Sequence, residues 1–337
     1  MARLALTRAQ IVAFRRRAGA LDERLPAGPR SLRRAAWAGL QDSMPRAAVL
    51  SIHARVARTG PSAWEDRSLA QIWGPRYSVF VVPERDRALF TLGRLPDDAR
   101  GRQRAERAAA RLQTLLGGAR MTYGAAGRAL GVHPNSLRYG TTTGTIALRW
   151  DGARQPVVWN VPRPTVDPLD ARLELARRYL NVYGPTTALG FAKWAGIAAR
   201  GGVAAFEALA DSLLDVRTPI GDASILARDE PVFRESPPAP APGRLLPSGD
   251  AFYLLHGADR RLLLPDAAQR NALWPSRVWP GAVLVDGEIV GVWRRTRHEV
   301  TVEPFGRLSR AARDAVEAEA ATLPLPDLAR SIVVRWS

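Results

Sequence analysis

The sequence contains no cysteine, and this absence excludes several kinds of chemistry at once. Disulfides, thiolate zinc sites, iron–sulfur clusters and cysteine nucleophiles all need that residue. Histidine is also scarce, and its copies show no HExxH or related metal-binding spacing: His53, His133, His256 and His298. We therefore predict that the protein binds no catalytic metal and uses no cofactor.

Several other common signatures are missing. No apolar run approaches the length of a membrane span, and residues 1–8 lack the continuous apolar core of a signal peptide. The sequence has no GxSxG elbow, no Walker glycine loop and no GxGxxG fingerprint. We expect neither a membrane protein nor an exported one.

The charge is strongly one-sided. Lysine and arginine total 49 against 32 acidic residues, a net charge of +17, and almost all of the basic residues are arginine. Such a surplus favours an anionic partner, nucleic acid first, and the planar guanidinium suits phosphate. A GC-rich genome that encodes arginine freely is the alternative explanation. The charge predicts a protein that binds nucleic acid, and the absence of cysteine fits a reducing cytoplasm.

The order of elements in the middle of the chain is typical of a winged helix-turn-helix. Residues 121–130 form a helical pattern, 131–134 a turn, and residues from 135 a second short helix. Strands are predicted at 145–150 and 155–159, joined by an Asp-Gly hairpin signal. In this motif the second helix enters the major groove and the wing lies along the backbone.

The flanking segments complete an α+β prediction. A capping box at Thr7 opens a helix, 62–73 is predicted as a short helical piece, 76–82 as a strand, and 84–92 and 98–117 as helices. We predict tandem winged helix-turn-helix units followed by a small C-terminal antiparallel β domain with an Asp-Gly hairpin at 282–293 and a closing strand at 331–336. The boundaries are a helical winged-helix-like unit with a β-hairpin at 1–118, winged helices at 119–166 and 167–235, a Pro-rich linker at 236–244 and the β domain at 245–337.

Three adjacent polar residues, Gln41, Asp42 and Ser43, precede a helix that Pro45 is predicted to begin. Backbone N–H groups lack partners at such a helix start, and the local field there favours negative charge. Taken locally, the stretch is a helix cap with Asp42, Ser43 or Met44 at the N-cap. The same place could also serve chemistry on an anionic polymer.

Two further groups are candidates for DNA contact. Asn135, Ser136 and Arg138 lie on the predicted recognition helix, where they could contact DNA or form a plain cap and surface. The hairpin end carries Arg294, Arg295 and Arg297, which could bind phosphate or remain solvated.

Several long segments of this sequence resemble, in the same order, segments of the AlkZ/YcaQ family of winged-helix DNA glycosylases. They comprise Gly39-Leu-Gln41 with Pro45, Trp73-x-x-Arg76 before a β-hairpin, the segment 171–185, Asp250 with the segment 258–260, and the segments 285–295 and 301–305. Together these matches are far more specific than one short motif.

The resemblance implies tandem winged helices and a β domain that form a concave basic surface for duplex DNA. With it we predict a monomer that binds double-stranded DNA and is nucleoid-associated. Family members excise alkylated or crosslinked bases and use a Gln-x-Gln or Gln-x-Asp motif to hold a water. Gln41 matches the first motif position, whereas Ser43 departs from the second. The resemblance also places Arg46, Trp73 and Arg76 at the DNA. Phe80 stands where relatives often carry a hairpin histidine, and it could wedge or probe the duplex.

The chemistry of glycosidic cleavage shows why the departures at Ser43 and Phe80 from the family pattern matter. The reaction passes through an oxocarbenium-like state and needs a positioned water. Gln41 and Ser43 can orient a water, but neither is a general base; Asp42 could be one, although it lies between two inward-facing motif positions. We predict a monofunctional glycosylase that hydrolyses the N-glycosidic bond of alkylated or crosslinked bases. The alternative is a non-catalytic winged-helix DNA-binding or regulatory protein, and base release separates the two.

Overall fold

Four β-sheets and the helices around them organise the chain. The computed structural model describes residues 3–44, 46–152, 154–236, 238–325 and 331–337. Within these residues, three sheets have three strands each and one has five. The predicted α+β class is confirmed. None of the helices in these ranges is both long enough and apolar enough to cross a membrane.

The first part of the chain builds a three-stranded sheet with short helices around it. The capping box predicted at Thr7 is confirmed, because its side chain accepts the Gln10 N–H while the Gln10 side chain accepts the Thr7 N–H. The elements are β1 (Leu4–Ala5), α1 (Arg8–Ala18), α2 (Pro29–Ala35), β2 (Leu40–Gln41), α3 (Ala47–Arg55), β3 (Leu69–Trp73), β4 (Val79–Pro83) and α4 (Arg87–Leu92). The predicted helix start at Pro45 lies outside the described residues.

Strand β3 corrects the helical prediction for 62–73. Only Ala63–Glu65 forms a short 3₁₀ turn there, and Leu69–Trp73 pairs antiparallel with β4. Buried Gln71 also bonds the backbone of Trp150 through both ends of its amide. These tertiary hydrogen bonds, which short-range spacing cannot reveal, override the local helical pattern.

The middle of the chain follows the predicted order of elements. It contains α5 (Ala99–Leu116), β5 (Met121–Thr122), α6 (Tyr123–Ala129), a 3₁₀ helix (Pro134–Thr143), β6 (Ile146–Arg149) and β7 (Val157–Asn160). Strands β6 and β7 form the predicted antiparallel hairpin. The second helix is 3₁₀ in place of α, and at its end the hydroxyls of Thr141, Thr142 and Thr143 each donate to a carbonyl three residues back.

A second helical group follows and shares its sheet with the chain start. Its elements are α7 (Pro168–Tyr183), α8 (Ala188–Ala195), α9 (Ala199–Ala208), β8 (Leu213–Thr218), β9 (Gly221–Leu226) and α10 (Glu230–Arg234). Strand β1 pairs parallel with β8, so Leu4 lies opposite Val216. The segment predicted as 1–118 therefore contributes a strand to the segment predicted as 167–235.

The last part of the chain forms the five-stranded sheet. Its elements are β10 (Gly243–Leu246), α11 (Arg260–Leu263), α12 (Ala267–Leu273), β11 (Gly281–Val285), β12 (Glu288–Thr296), β13 (Glu299–Pro304), α13 (Arg310–Ala321) and β14 (Val333–Trp336). The Asp-Gly hairpin between β11 and β12 is confirmed. The sheet is not wholly antiparallel as predicted, since β14 pairs parallel with β13. A helix between two neighbouring strands returns the chain to the same end of the sheet and makes them parallel.

The core joins the C-terminal sheet to the segment that carries the motif. Val49 and Ile52 of α3 pack in one apolar cluster with Val283 and Val302 of the sheet. A buried ion pair adds to this contact, because both Arg55 guanidinium nitrogens donate to the Asp250 carboxylate at 2.7 Å. Helix α3 thus holds the Gln41 strand in a fixed relation to the 247–252 segment.

Candidate active site and nucleic-acid interface

Gln41 is the last residue of strand β2, and its side chain lies next to Gly249 and Arg76. It lies opposite Phe80 in the β-sheet, and its side chain is partly buried. Its amide packs on Gly249, where an added Cβ would lie 3.2 Å from Gln41 Cδ. Gly249 has φ +75°, a conformation that favours glycine. A side chain at this position would be strained by the backbone conformation and would displace the Gln41 amide by a few tenths of an ångström.

Asp42 points away from Gln41 into the protein. It is 4% exposed, and its two oxygens accept the Ala48 N–H at 3.0 Å and the Gln71 Nε2–H at 2.8 Å. Burial outweighs these hydrogen bonds and raises the pKa of Asp42 to about 6. The carboxylate accepts an N–H in the first turn of α3, but the N-cap of that helix is Arg46, so the predicted N-cap at Asp42, Ser43 or Met44 is wrong. Its enclosed position argues against Asp42 as the general base.

Ser43 is exposed, as is Met44 at 40%. Strand β2 ends at Gln41, and Ser43 follows two residues later in a bend of the chain. Gln41 and Ser43 are thus the two polar motif side chains outside the enclosed network of Asp42, Ala48 and Gln71.

Arg76 links Gln41 to a histidine that the sequence did not single out. Its Nη1 lies 2.8 Å from His256 Nε2, and its Nη2 donates weakly to Gln41 Oε1 at 3.5 Å. Because arginine can only donate, His256 must accept with Nε2 and is neutral. Burial, followed by the charges of Arg76, Arg260 and Lys193, lowers the pKa of His256 to about 4. Gln41 therefore borders a cationic cluster suited to an anionic group.

Two of the predicted DNA contacts are buried, and these predictions are wrong. Phe80 is 0% exposed, with its ring against Gly39 and Gly74, and Trp73 is 1% exposed. The expectation of a probing Phe80 rested on the hairpin position where relatives often carry a histidine, but Phe80 lies within β4, paired with β2 on one side and β3 on the other. Its ring serves the core and cannot wedge a duplex in this conformation.

The other predicted contacts lie at or near the surface. Arg46 places its guanidinium 5.3 Å above the Trp64 ring. Arg138 is partly buried between the Trp73 and Tyr123 rings, at 5.7 and 5.6 Å. The exposed members of the set are Asn135, Arg294, Arg295 and Arg297, while Ser136 is partly exposed. The Asn135 side chain accepts the Tyr123 hydroxyl, and Arg295 donates to the Arg297 carbonyl.

A stripe of arginines on α5 was not among the predicted sites. Arg100, Arg104, Arg107 and Arg111 are exposed and line a groove of about 550 Å³ together with Ser136 of the 3₁₀ helix. Among the described residues, no carboxylate lies within 4 Å of these four guanidinium groups. Their spacing along one helix face was visible in the sequence, whereas His256 and Gly249 reach Gln41 only through the fold.

The carboxylates closest in sequence and space to the Gln41 motif have other partners. Within the ranges that the structure covers, no group of three or more histidine and carboxylate side chains could hold an ion. The acidic residue nearest in sequence to Gln41 is the enclosed Asp42, and Asp250 is occupied by Arg55, Ser51 and the Phe252 N–H.

Comparison with known proteins adds the family. The model of the AlkZ-like DNA glycosylases matches residues 34–324, which is most of the chain. The chain belongs to the AlkZ-like DNA glycosylase family. This confirms the resemblance inferred from the motifs, and the matched region contains Gln41, Arg76 and His256.

Two relatives of this family member come from Streptomyces sahachiroi. The chain is 32% identical over 163 residues to an interstrand DNA cross-link repair glycosylase, an alignment that covers 46% of this chain and 42% of the relative. The solved structure of the DNA glycosylase AlkZ superposes with a TM-score of 0.79 at 19% identity, covering 99% of this chain and 100% of that one. The second comparison shows a shared fold over the whole length.

Proposed function

We propose that the protein is a DNA glycosylase that hydrolyses the N-glycosidic bond of an alkylated or crosslinked base in duplex DNA. The observation that carries the proposal is the placement of Gln41, which lies within a family member's motif and beside the cationic Arg76–His256 pair. A site for DNA chemistry needs both a water-orienting group and a nearby cation that holds a phosphate.

The side chains suggest how the reaction proceeds. The Gln41 amide oxygen and the Ser43 hydroxyl accept hydrogen bonds from a water and aim it at the anomeric carbon, while the glycosidic bond breaks through an oxocarbenium-like state. The water adds to the sugar carbon, and the proton that it loses passes to the surrounding solvent. A cationic alkylpurine departs as a neutral base, so it needs no general acid. This pathway suits a motif without an exposed carboxylate, because weak assistance is enough for so good a leaving group.

The rest of the surface supports a duplex as the substrate. We infer that the three small sheets and their helices are winged-helix units, with boundaries near 118, 166 and 235, and that the unpaired arginines of α5 contact phosphates. The hairpin arginines Arg294, Arg295 and Arg297 are proposed to contact the same duplex. We propose that the protein acts as a monomer at the nucleoid.

The test incubates the protein with duplexes that carry N7-alkylguanine, N3-alkyladenine or an interstrand crosslink and counts abasic sites by alkaline strand cleavage. We expect abasic sites with at least one lesion and their loss in Gln41→Ala. The matched control is Gln269→Ala, a partly exposed glutamine on α12. If no lesion yields abasic sites while DNA still binds, the non-catalytic DNA-binding alternative holds.

A further inference from the structure

A cavity of about 220 Å³ lies between the start of α5, the 3₁₀ helix before β6 and the turn that joins α8 to α9. Its walls carry two tyrosine rings, Tyr77 and Tyr139, whose centroids lie 5.2 Å apart with the ring planes at 78°. An arginine covers each ring, since Arg94 lies 5.0 Å from the Tyr77 centroid and Arg104 lies 5.3 Å from the Tyr139 centroid. The cavity thus offers flat surfaces in a space smaller than the roughly 300–1,000 Å³ of sites for drug-sized ligands.

Arg94 has one hydrogen-bond donor in this wall without a partner. The residue is 2% exposed, and its Nε and Nη1 donate to the carbonyls of Ala195 at 2.8 Å and Trp73 at 3.0 Å. Its Nη2 is buried and has no hydrogen-bond partner within the described residues. A buried donor of this kind costs free energy, and a bound molecule that accepts from Nη2 would remove the cost.

Carboxylates at the same cavity supply acceptors. Asp97 pairs with Arg172, and Asp98 accepts the Gly101 N–H at 2.7 Å. Each carboxylate has more acceptor positions than these contacts use. A simple phosphate gains nothing from tyrosine rings and is repelled by the carboxylates, whereas a nucleobase has a flat face to stack and an edge with both donors and acceptors. The mixture of groups therefore favours a nucleobase.

The cavity continues the arginine-lined groove of α5, because Arg104 and Tyr139 belong to both. A strand whose phosphates lie along α5 can therefore place a base in the cavity. On the opposite wall, an added Cβ at Gly196 would lie 2.9 Å from Arg76 Cα. Arg76 thus has its backbone at the cavity wall and its guanidinium at Gln41, and a single base cannot occupy both places.

We propose that this cavity binds one unpaired, unmodified base of the DNA outside the helix, while the Gln41 site engages a different nucleotide. The inference rests on the DNA-binding part of the proposed function and does not depend on base release. Stacking against Tyr77 and Tyr139 supplies the affinity, and Arg94 and Asp98 contact the edge of the base.

The experiment compares two duplexes that differ only in the base of a single bulged nucleotide. One bulge carries 2-aminopurine, and the other carries a tetrahydrofuran abasic nucleotide. Affinities are measured by fluorescence anisotropy from a label at the duplex end. The wild type is expected to bind the 2-aminopurine bulge about 10-fold more tightly, which is within the range of base stacking on aromatic side chains.

Variants of the cavity wall test where the base lies. Tyr139→Ala should reduce the preference to roughly twofold or less, whereas Tyr139→Phe keeps the ring and should retain it. Ala198→Trp places a ring in the cavity from an exposed position, so it should abolish the preference, and it keeps the test valid should Tyr139→Ala not fold. Ala318→Trp, at an exposed alanine of α13, is the matched control and should leave the preference unchanged.

Equal affinities of the wild type for the two duplexes would overturn the proposal. Retention of the preference in folded Tyr139→Ala or in Ala198→Trp would overturn it as well, because the base would then bind elsewhere. Failure of the proposed function has different signatures. Absence of binding to either duplex would remove the DNA-binding premise and the proposal together, while absence of base release from alkylated DNA, with the preference intact, would contradict only the glycosylase activity.

Discussion

The enclosed carboxylate of Asp42 gives a quantitative test of how the motif is built. Its pKa of about 6 in the fold exceeds the ordinary value of 3.8 because burial disfavours the charged form. The difference corresponds to about 3 kcal/mol of folding free energy. The residue is 4% exposed, so solvent screening reduces this figure little.

The sign of the effect follows from the raised value. Below about pH 4 the carboxyl is largely neutral in both the folded and the unfolded state, so the burial of Asp42 does not lower the free energy of unfolding. As the pH rises towards 6, the unfolded chain ionises first and the folded protein loses stability relative to it; above 6 the loss is complete. The folded protein is thus more stable by this amount in acid, and it loses this stability on going to neutral pH.

Asp42→Asn isolates this contribution because asparagine does not titrate. Its amide oxygen can still accept the Ala48 N–H, but its NH₂ group meets the Gln71 Nε2–H, a donor facing a donor. That mismatch costs about 1–3 kcal/mol, and it does so at every pH. This cost therefore changes the difference in stability between the variant and the wild type by the same amount at each pH, and it does not affect how that difference varies with pH.

The assay is urea unfolding followed by tryptophan fluorescence between pH 4 and 8. We expect the wild type to lose about 2–3 kcal/mol relative to Asp42→Asn over this range. The control is Asp314→Asn, whose side chain is 66% exposed, and its difference from the wild type should stay within about 0.5 kcal/mol. A constant gap for Asp42→Asn, or a gap of opposite sign, would refute the reasoning.

The same variant separates structure from catalysis. If Asp42 only anchors α3, folded Asp42→Asn should release base within about threefold of the wild-type rate. A loss of a hundredfold or more, in the range of a general base, would restore Asp42 to the catalytic set.

Three further predictions concern other parts of the fold. Asp250→Asn should lower the free energy of unfolding by about 3–5 kcal/mol in urea, because it leaves the buried Arg55 charge without its partner; a loss under 1 kcal/mol would contradict this. Phe80→Ala should lower it by about 3–5 kcal/mol in the same assay, as expected of a core ring, and a near-neutral effect would revive the exposed-probe interpretation. Arg100→Gln combined with Arg107→Gln should weaken binding to undamaged duplex and reduce the slope of log K against log salt concentration by about 2. Arg310→Gln, at a 96% exposed side chain on α13, is the control and should reduce this slope by at most about 1. An unchanged slope in the double variant would exclude the α5 stripe from the interface.

Local signals in the sequence were sufficient for elements that carry their own caps and turns. Helix α7 spans Pro168–Tyr183, and its start is marked locally because Asp167 caps it and proline occupies its first turn. The β11–β12 hairpin was predictable from Asp286-Gly287 between alternating apolar positions. In both cases the deciding interactions lie within a few residues.

Elements decided by distant partners were missed. Strand β3 depends on β4 and on the backbone of Trp150, and the parallel direction of β14 depends on α13. Phe80 is buried because strand β2 pairs with β4. Strand β2 has only two residues, which is too short for periodicity in the sequence to predict a strand.

The candidate site shows the same division. The motif was recognisable at Gln41, and alternation along the chain already suggested that Asp42 faces elsewhere. The contacts of Gln41 come from residues far along the chain, His256 through Arg76 and Gly249 directly. A lone histidine carries no spacing signal, so only the folded structure could bring it to the site.

The central claim is that Gln41 directs a water onto the glycosidic bond of an alkylated base. Its most direct test is the single-turnover rate of free 7-methylguanine release from a duplex with one N7-methylguanine, measured by mass spectrometry. The account predicts a time-dependent release by the wild type that falls at least tenfold in Gln41→Ala while duplex affinity changes less than threefold. Equal release by the two proteins, or none above the spontaneous rate, would contradict it.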